Sequence, residues 1–160
     1  MALTLPEVKR YFEAQPTSIA IWVVVFDEKR EKVLLVREKH QRKEGLVGLP
    51  GGKPKQNGLE TSEEAGAREL REETGFRVAP ENLISYPNNV RLDNMMRLGE
   101  QKHYAGKALI ATAVDGDLRA ETPETRAFWA RINRLDRFGK RLSPSVKPVV
   151  SEALRFLNTR

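Results

Sequence analysis

The sequence predicts an α/β or α+β sandwich, and three observations carry that prediction. Short β-branched runs recur along the chain, a helix with its own start and stop signals lies mid-chain, and a second helical pattern closes it. The 160 residues correspond to one domain, 1–160, long enough to bury a core without disulfide staples. No repeat, low-complexity segment or Pro/Gly/Ser linker divides it, and residues 1–17 read as a peripheral lead-in.

Taken in order, residues 19–26 (IAIWVVVF) have the composition of a strand buried on both faces. A charged turn at 27–32 leads to Val33-Leu34-Leu35-Val36, and the two strands are expected to pair as a hairpin. Residues 45–52 (GLVGLPGG) read as a loop around a short strand. Residues 60–74 give the clearest helix: Thr61 followed by Glu64 fits a capping box, and Gly75 sits where a helix-terminating glycine belongs. Strands are expected within 76–86 and 102–114, with a Pro/Asn turn at 87–89. Asp115-Gly116-Asp117 marks a turn, and residues 127–132 make a further candidate strand. Val149, Val150, Ala153, Leu154 and Leu157 recur at helical spacing within 148–157.

Composition removes several chemistries. With no Cys there is no thiol nucleophile, disulfide, iron–sulfur cluster or thiolate zinc site. With only His40 and His103, a multi-histidine metal site is excluded as well. No apolar run approaches the ~20 residues of a membrane span, and the first residues lack the pattern of a signal peptide. The expected setting is therefore the cytoplasm, with no membrane partner.

The net charge of +6 points to anionic partners, but its distribution says more. Residues 60–75 hold six Glu and two Arg, net −4, so the rest of the chain sums to +10. At about 100° per residue, Glu69, Glu72 and Glu73 share one helix face, whereas Gly66, Ala67, Leu70 and Thr74 face a core. Arg68 is four residues from both Glu64 and Glu72 and is placed to bridge them. Three like charges on one face repel, and Glu72 and Glu73 lie in the last turn, where the helix dipole disfavours anions. A divalent cation would relieve both penalties, and clustered carboxylates suit hard ions such as Mg²⁺ or Mn²⁺.

Together these residues resemble the Nudix hydrolase family, whose box reads G-x5-E-x7-R-E-U-x-E-E-x-G-U. Arg68-Glu69-Leu70-Arg71-Glu72-Glu73-Thr74-Gly75-Phe76 follows its second half, with Phe at the last, usually aliphatic, position. Glu60 stands eight residues before Arg68 as the pattern requires, and Leu49-Pro50-Gly51-Gly52 is similar to the common entry, placing the box at 52–76. Seven residues (KPKQNGL) separate Gly52 from Glu60 where the family has five, and Val47 stands where many relatives carry Trp.

The resemblance implies an α+β fold, an α/β/α sandwich with a mixed β-sheet between helices. It implies divalent-metal-dependent hydrolysis of a nucleoside diphosphate linked to another moiety. On the same basis, Glu69, Glu72 and Glu73 are the metal ligands, Glu69 also serving as proton acceptor, and Arg68 orients them. The Gly51 carbonyl is a further candidate ligand, and so is Glu124, five residues before Trp129, with Glu121 as its competitor. Arg37 is placed by the resemblance at substrate phosphate. Trp22, Trp129, Tyr104 and Phe128 are assigned to core packing before base stacking, and His40 and His103 to structural or surface roles.

Downstream markers narrow the substrate. The Pro associated with ADP-ribose hydrolases is absent around Asn88-Asn89-Val90-Arg91, and so is the Tyr associated with dinucleoside polyphosphate hydrolases. Short length, basic surroundings (+4 over 28–43, +6 over 126–147) and the Glu124–Trp129 spacing favour nucleoside triphosphates or related small nucleotides. The alternatives are ADP-ribose, dinucleoside polyphosphates, RNA 5′ ends, or a non-catalytic nucleotide-binding module. Nucleic acid ranks last as a partner, and a homodimer is compatible with the sequence.

Overall fold

The computed structural model describes residues 19–39, 45–55, 59–97, 100–119, 122–123 and 125–160. The lead-in 1–17, His40, Glu121 and Glu124 lie outside the described residues, as do the side chains of His103 and Tyr104.

Among the described residues, seven of the nine main elements are strands: β1 (Ile19–Val25), β2 (Lys32–Glu38), β3 (Val47–Gly48), β4 (Gly51–Gly52), β5 (Leu83–Arg97), β6 (Glu100–Ala111) and β7 (Thr125–Arg131). The helices are α1 (Ser62–Thr74) and α2 (Val146–Asn158), with 3₁₀ segments at Pro80–Asn82 and Ile132–Arg141. One sheet has the order β4-β1-β6-β5, and the other β3-β2-β7. Among the described strand pairs, β1 and β6 run parallel and the others antiparallel.

Two expectations are corrected. The strands β1 and β2 do not form a hairpin: they meet only at the Phe26–Val33 bridge and then diverge into different sheets. Long-range pairing decides this, because β1 runs beside β6 through seven register positions and β2 beside β7 through another seven. Nor is there a turn at 87–89; β5 continues through it with a register shift between Ser85 and Val90. A proline cannot donate to a ladder, but a bulge on an edge strand tolerates it, and β5 is an edge.

Strand alternation builds two cores. Ile21, Val23 and Val25 of β1, Leu34 of β2 and Leu109 of β6 pack with Ala65 and Leu70 of α1. Val24, Val33, Leu35 and Ile110 pack on the other side with Val149, Val150 and Ala153 of α2. Strands lie between helices, which is the expected α+β sandwich. Leu70 is fully buried, and truncating such a side chain to Ala costs about 2–5 kcal/mol. The core therefore dictates the rotation of α1, and that rotation decides where its glutamates point.

Candidate active site

Helix α1 is pinned at both ends. The Thr61 hydroxyl accepts from the Glu64 N–H at 3.1 Å, and the Glu64 carboxylate accepts from the Thr61 N–H at 3.3 Å, which is the expected capping box. Gly75 ends the helix with φ of 82°, in the left-handed region where a side chain is strained. The acidic last turn is not left bare: Arg119 donates to the carbonyls of Arg71 and Glu72 at 3.3 and 3.0 Å. It supplies the cation that a helix C-terminus favours, from a segment 47 residues downstream.

Arg68 organises the acidic face. Its Nε and Nη2 donate to the two oxygens of Glu60 at 2.8 and 2.9 Å, a bidentate fork. Its Nη1 reaches Glu69 at 2.9 Å and Glu72 at 3.3 Å, and Nη2 also meets the Lys53 carbonyl at 3.2 Å. The expected bridge to Glu72 is present, but Glu64 is taken by the cap and Glu60 stands in its place. The Arg68 hydrogen bonds hold the Glu60 carboxyl down at about 2, against a smaller opposing effect of burial. Glu60 in turn holds the Arg68 guanidinium above its ordinary value. Glu60 also accepts from the Lys55 N–H at 3.0 Å. The first part of the longer loop is thus tied through Glu60 to Arg68 of the helix.

Two glycines bring β4 against this face. Strand β4 pairs with β1 through Gly51 opposite Trp22 and Gly52 opposite Ile21. A side chain at Gly51 would run into the Ile21 carbonyl, and a Cβ at Gly52 would lie 2.5 Å from a Glu69 oxygen. Without side chains, the Gly51 N–H donates to Glu73 at 2.8 Å. Burial pushes the Glu73 carboxyl up to about 8, opposed by that N–H and reinforced by Glu69, Glu38 and Glu72. Burial also raises Glu69, with Arg68 pulling the other way. Glu69 and Glu73 line a cleft of about 460 Å³, whose walls include Trp22, Val36, Leu46 and Val47.

The expected residues separate into groups. Gly51, Glu69 and Glu73 converge on the cleft, with Arg68 behind them. Glu72 stays at the rim, its side chain 51% exposed. Among the described residues no three carboxylates or imidazoles are drawn together tightly enough to make a ready cation cage. Arg37 is not among the residues that line the cleft: its neighbours Val36 and Glu38 line it, and Arg37 lines a separate groove. Strand alternation is the reason, since adjacent side chains point to opposite faces. Trp129 packs against Phe76 as core, with ring centroids 6.2 Å apart, whereas Trp22 both packs on the core and faces the cleft. Glu38, Ser143 and Ser145 line the cleft unforeseen. The period-two pattern Leu34, Val36, Glu38 could have flagged Glu38, whereas the serines arrive through a 3₁₀ connection that carries no sequence signal.

The NUDIX domain profile matches residues 16–151 of this chain. The chain belongs to the NUDIX family. It is 27% identical over 131 residues to the ADP-ribose pyrophosphatase of Methanocaldococcus jannaschii, spanning 82% of this chain and 70% of that protein. In structure it is similar to the MutT NUDIX hydrolase of Burkholderia pseudomallei, with a TM-score of 0.65, 20% identity, and 84% and 96% of the two chains covered. It is also similar to a C. elegans Ap4A hydrolase, with a TM-score of 0.63 and 14% identity over 90% and 100% of the chains. As a Nudix hydrolase the chain is a pyrophosphohydrolase by class.

Nudix hydrolases generally use divalent metal ions. The donor set fits that requirement. It is all oxygen, it includes two part-buried carboxyls raised by desolvation and by neighbouring carboxylates, and it lies beside two glycines that keep the approach open. A bound cation would favour the ionised form of both carboxyls and remove the repulsion between them.

Proposed function

We propose that the chain hydrolyses nucleoside triphosphates or related small nucleotides with Mg²⁺ or Mn²⁺, using domain 1–160 as a single catalytic unit in the cytoplasm. The observation that carries this reading is the cleft, which combines two part-buried carboxyls with apolar lining residues in a volume of about 460 Å³. Glu69 and Glu73 would hold the ion, joined by Glu72 from the rim and by the Gly51 carbonyl. Glu124 is kept as a further ligand on the strength of its spacing from Trp129. When bound, the cation neutralises phosphate oxygens and makes a water molecule more acidic.

The chain's own residues do the remainder. Arg68 fixes the Glu69 carboxyl through Oε1, which leaves Oε2 outside that hydrogen bond as the atom to take a proton from the attacking water. Burial gives that carboxyl a basicity closer to neutral pH than an exposed glutamate has. Trp22, Leu46 and Val47 offer an apolar wall to a nucleoside, and the hydroxyls of Ser143 and Ser145 offer hydrogen bonds to its polar groups.

A panel of nucleoside triphosphates, ADP-ribose, dinucleoside polyphosphates and nucleotide sugars, assayed with each metal, tests the reading. Metal-dependent turnover of triphosphates is expected, abolished by Glu69→Gln and Glu72→Gln with the fold retained. Unchanged turnover in Glu72→Gln refutes the mechanism, and saturable binding without turnover across the panel makes the chain a binding module. The likeness to an ADP-ribose pyrophosphatase favours ADP-ribose as the second reading, and preferential turnover of ADP-ribose in the panel selects it.

A further inference from the structure

We propose that the groove lined by Arg37, Arg126, Phe128, Arg137 and Phe138 is a second site, one that binds a nucleoside phosphate outside the acidic cleft. The proposal is independent of which substrate the cleft takes.

The β2–β7 register sets Arg37 directly opposite Arg126 and Leu35 opposite Phe128. The segment Ile132–Arg141 then folds back and adds Arg137 and Phe138 to the same groove. The three charged side chains lining it are all arginines, and no carboxylate lines it among the described residues. Among the described residues, neither Arg37 nor Arg137 makes an ion pair there.

The aromatic rings give the groove its second property. The Arg37 guanidinium lies 5.7 Å from the Phe128 centroid, and that of Arg137 4.8 Å from the Phe138 centroid. The two rings are 5.8 Å apart and inclined at 50°. A guanidinium resting on a ring is pre-oriented, and its N–H groups remain available for a bidentate bond to phosphate. The inclined Phe128 and Phe138 rings, which back onto the core, also offer an apolar contact for a base. At about 530 Å³ the groove has room for a mononucleotide. Because Val36 and Glu38 face the cleft while Arg37 faces the groove, both sites can be occupied together.

Equilibrium binding to the whole chain tests this with ADP, inorganic pyrophosphate and an octauridylate as probes, EDTA being present throughout. ADP is expected to bind saturably and more weakly as salt rises. Arg137→Glu should weaken it by about tenfold or more, with unchanged thermal midpoint and unchanged kcat and KM of metal-dependent turnover. Arg37→Gln should weaken ADP binding in the same direction. Wild-type ADP affinity in both variants overturns the site. Pyrophosphate binding as tightly as ADP overturns the role of the base, and octauridylate binding far more tightly than ADP makes the groove a strand-binding surface instead. A chain that turns over nothing but still shows Arg137-dependent ADP binding fails the proposed function and keeps this site.

Discussion

Raising the pH of the metal-free protein should destabilise it, and Glu73 is the main reason. In the folded chain burial holds this carboxyl at about 8, against an ordinary value of 4.5. A group whose folded pKa is raised binds its proton more tightly in the native state. Its contribution is complete below 4.5, falls as pH rises, and is gone once pH passes about 8. At ~1.4 kcal/mol per pH unit over that interval the ceiling is ~5 kcal/mol, and an open cleft that admits water reduces it to ~2–4 kcal/mol. Glu69 adds to the loss in the same direction. Glu60 acts elsewhere: its carboxyl is held at about 2, so its contribution is present above 4.5 and lost only in acid. Denaturant unfolding in EDTA between pH 5 and 9 measures the effect. The wild type should lose stability steadily to about pH 8. Glu73→Gln retains an oxygen for the Gly51 N–H, so it should flatten most of the slope and exceed the wild type in stability above pH 8. A flat wild-type profile, or a Glu73→Gln protein weaker at every pH, refutes the reasoning.

Three substitutions probe the frame around the cleft. Arg68→Lys replaces a fork serving Glu60, Glu69, Glu72 and the Lys53 carbonyl with a single ammonium, and steady-state kinetics should show kcat down about 10–100-fold with KM little changed. Gly52→Ala puts a methyl group 2.5 Å from a Glu69 oxygen; turnover should fall about 100-fold while near-ultraviolet circular dichroism stays native. Gly75→Ala forces a side chain to φ of 82° and within 2.9 Å of the Asp117 carbonyl, at a cost of about 1–2 kcal/mol. Calorimetry should place its melting midpoint about 2–8 °C lower, and an unchanged midpoint would show that the αL cap is not strained.

Local physics made much of the site legible in advance. A capping box and a left-handed glycine are short-range devices, so Thr61, Glu64 and Gly75 announce both ends of α1. Helical periodicity then separates Leu70 from Glu69 and Glu73 without reference to the rest of the chain. What was not legible depends on distant partners. Val33-Leu34-Leu35-Val36 looks like the return strand of a hairpin, yet β2 takes β7 as its neighbour because each strand finds a better partner about ninety residues away than across the turn. Pro87-Asn88-Asn89 carries turn residues, but a long edge strand absorbs them as an irregularity. Arg68 chose Glu60 over Glu64 because the cap had already engaged Glu64, a competition that i,i+4 spacing alone does not reveal.

The division of charge acquires a structural meaning through β2. Successive residues of one strand serve opposite tasks: Glu38 faces the cleft, and Arg37 faces a groove lined by arginines. A single-residue slip of β2 against β7 would exchange them, placing a cation among groups poised for metal and a carboxylate among guanidinium groups. Leu34 and Leu35, fully buried in different cores, oppose that slip because each would be moved into the other's place. The register that packs the two cores is therefore the same register that keeps the acidic and basic sites apart. Charge patterning in this chain is thus a property of strand alternation as much as of composition. Exchanging residues 37 and 38 should leave packing intact while disturbing both sites together.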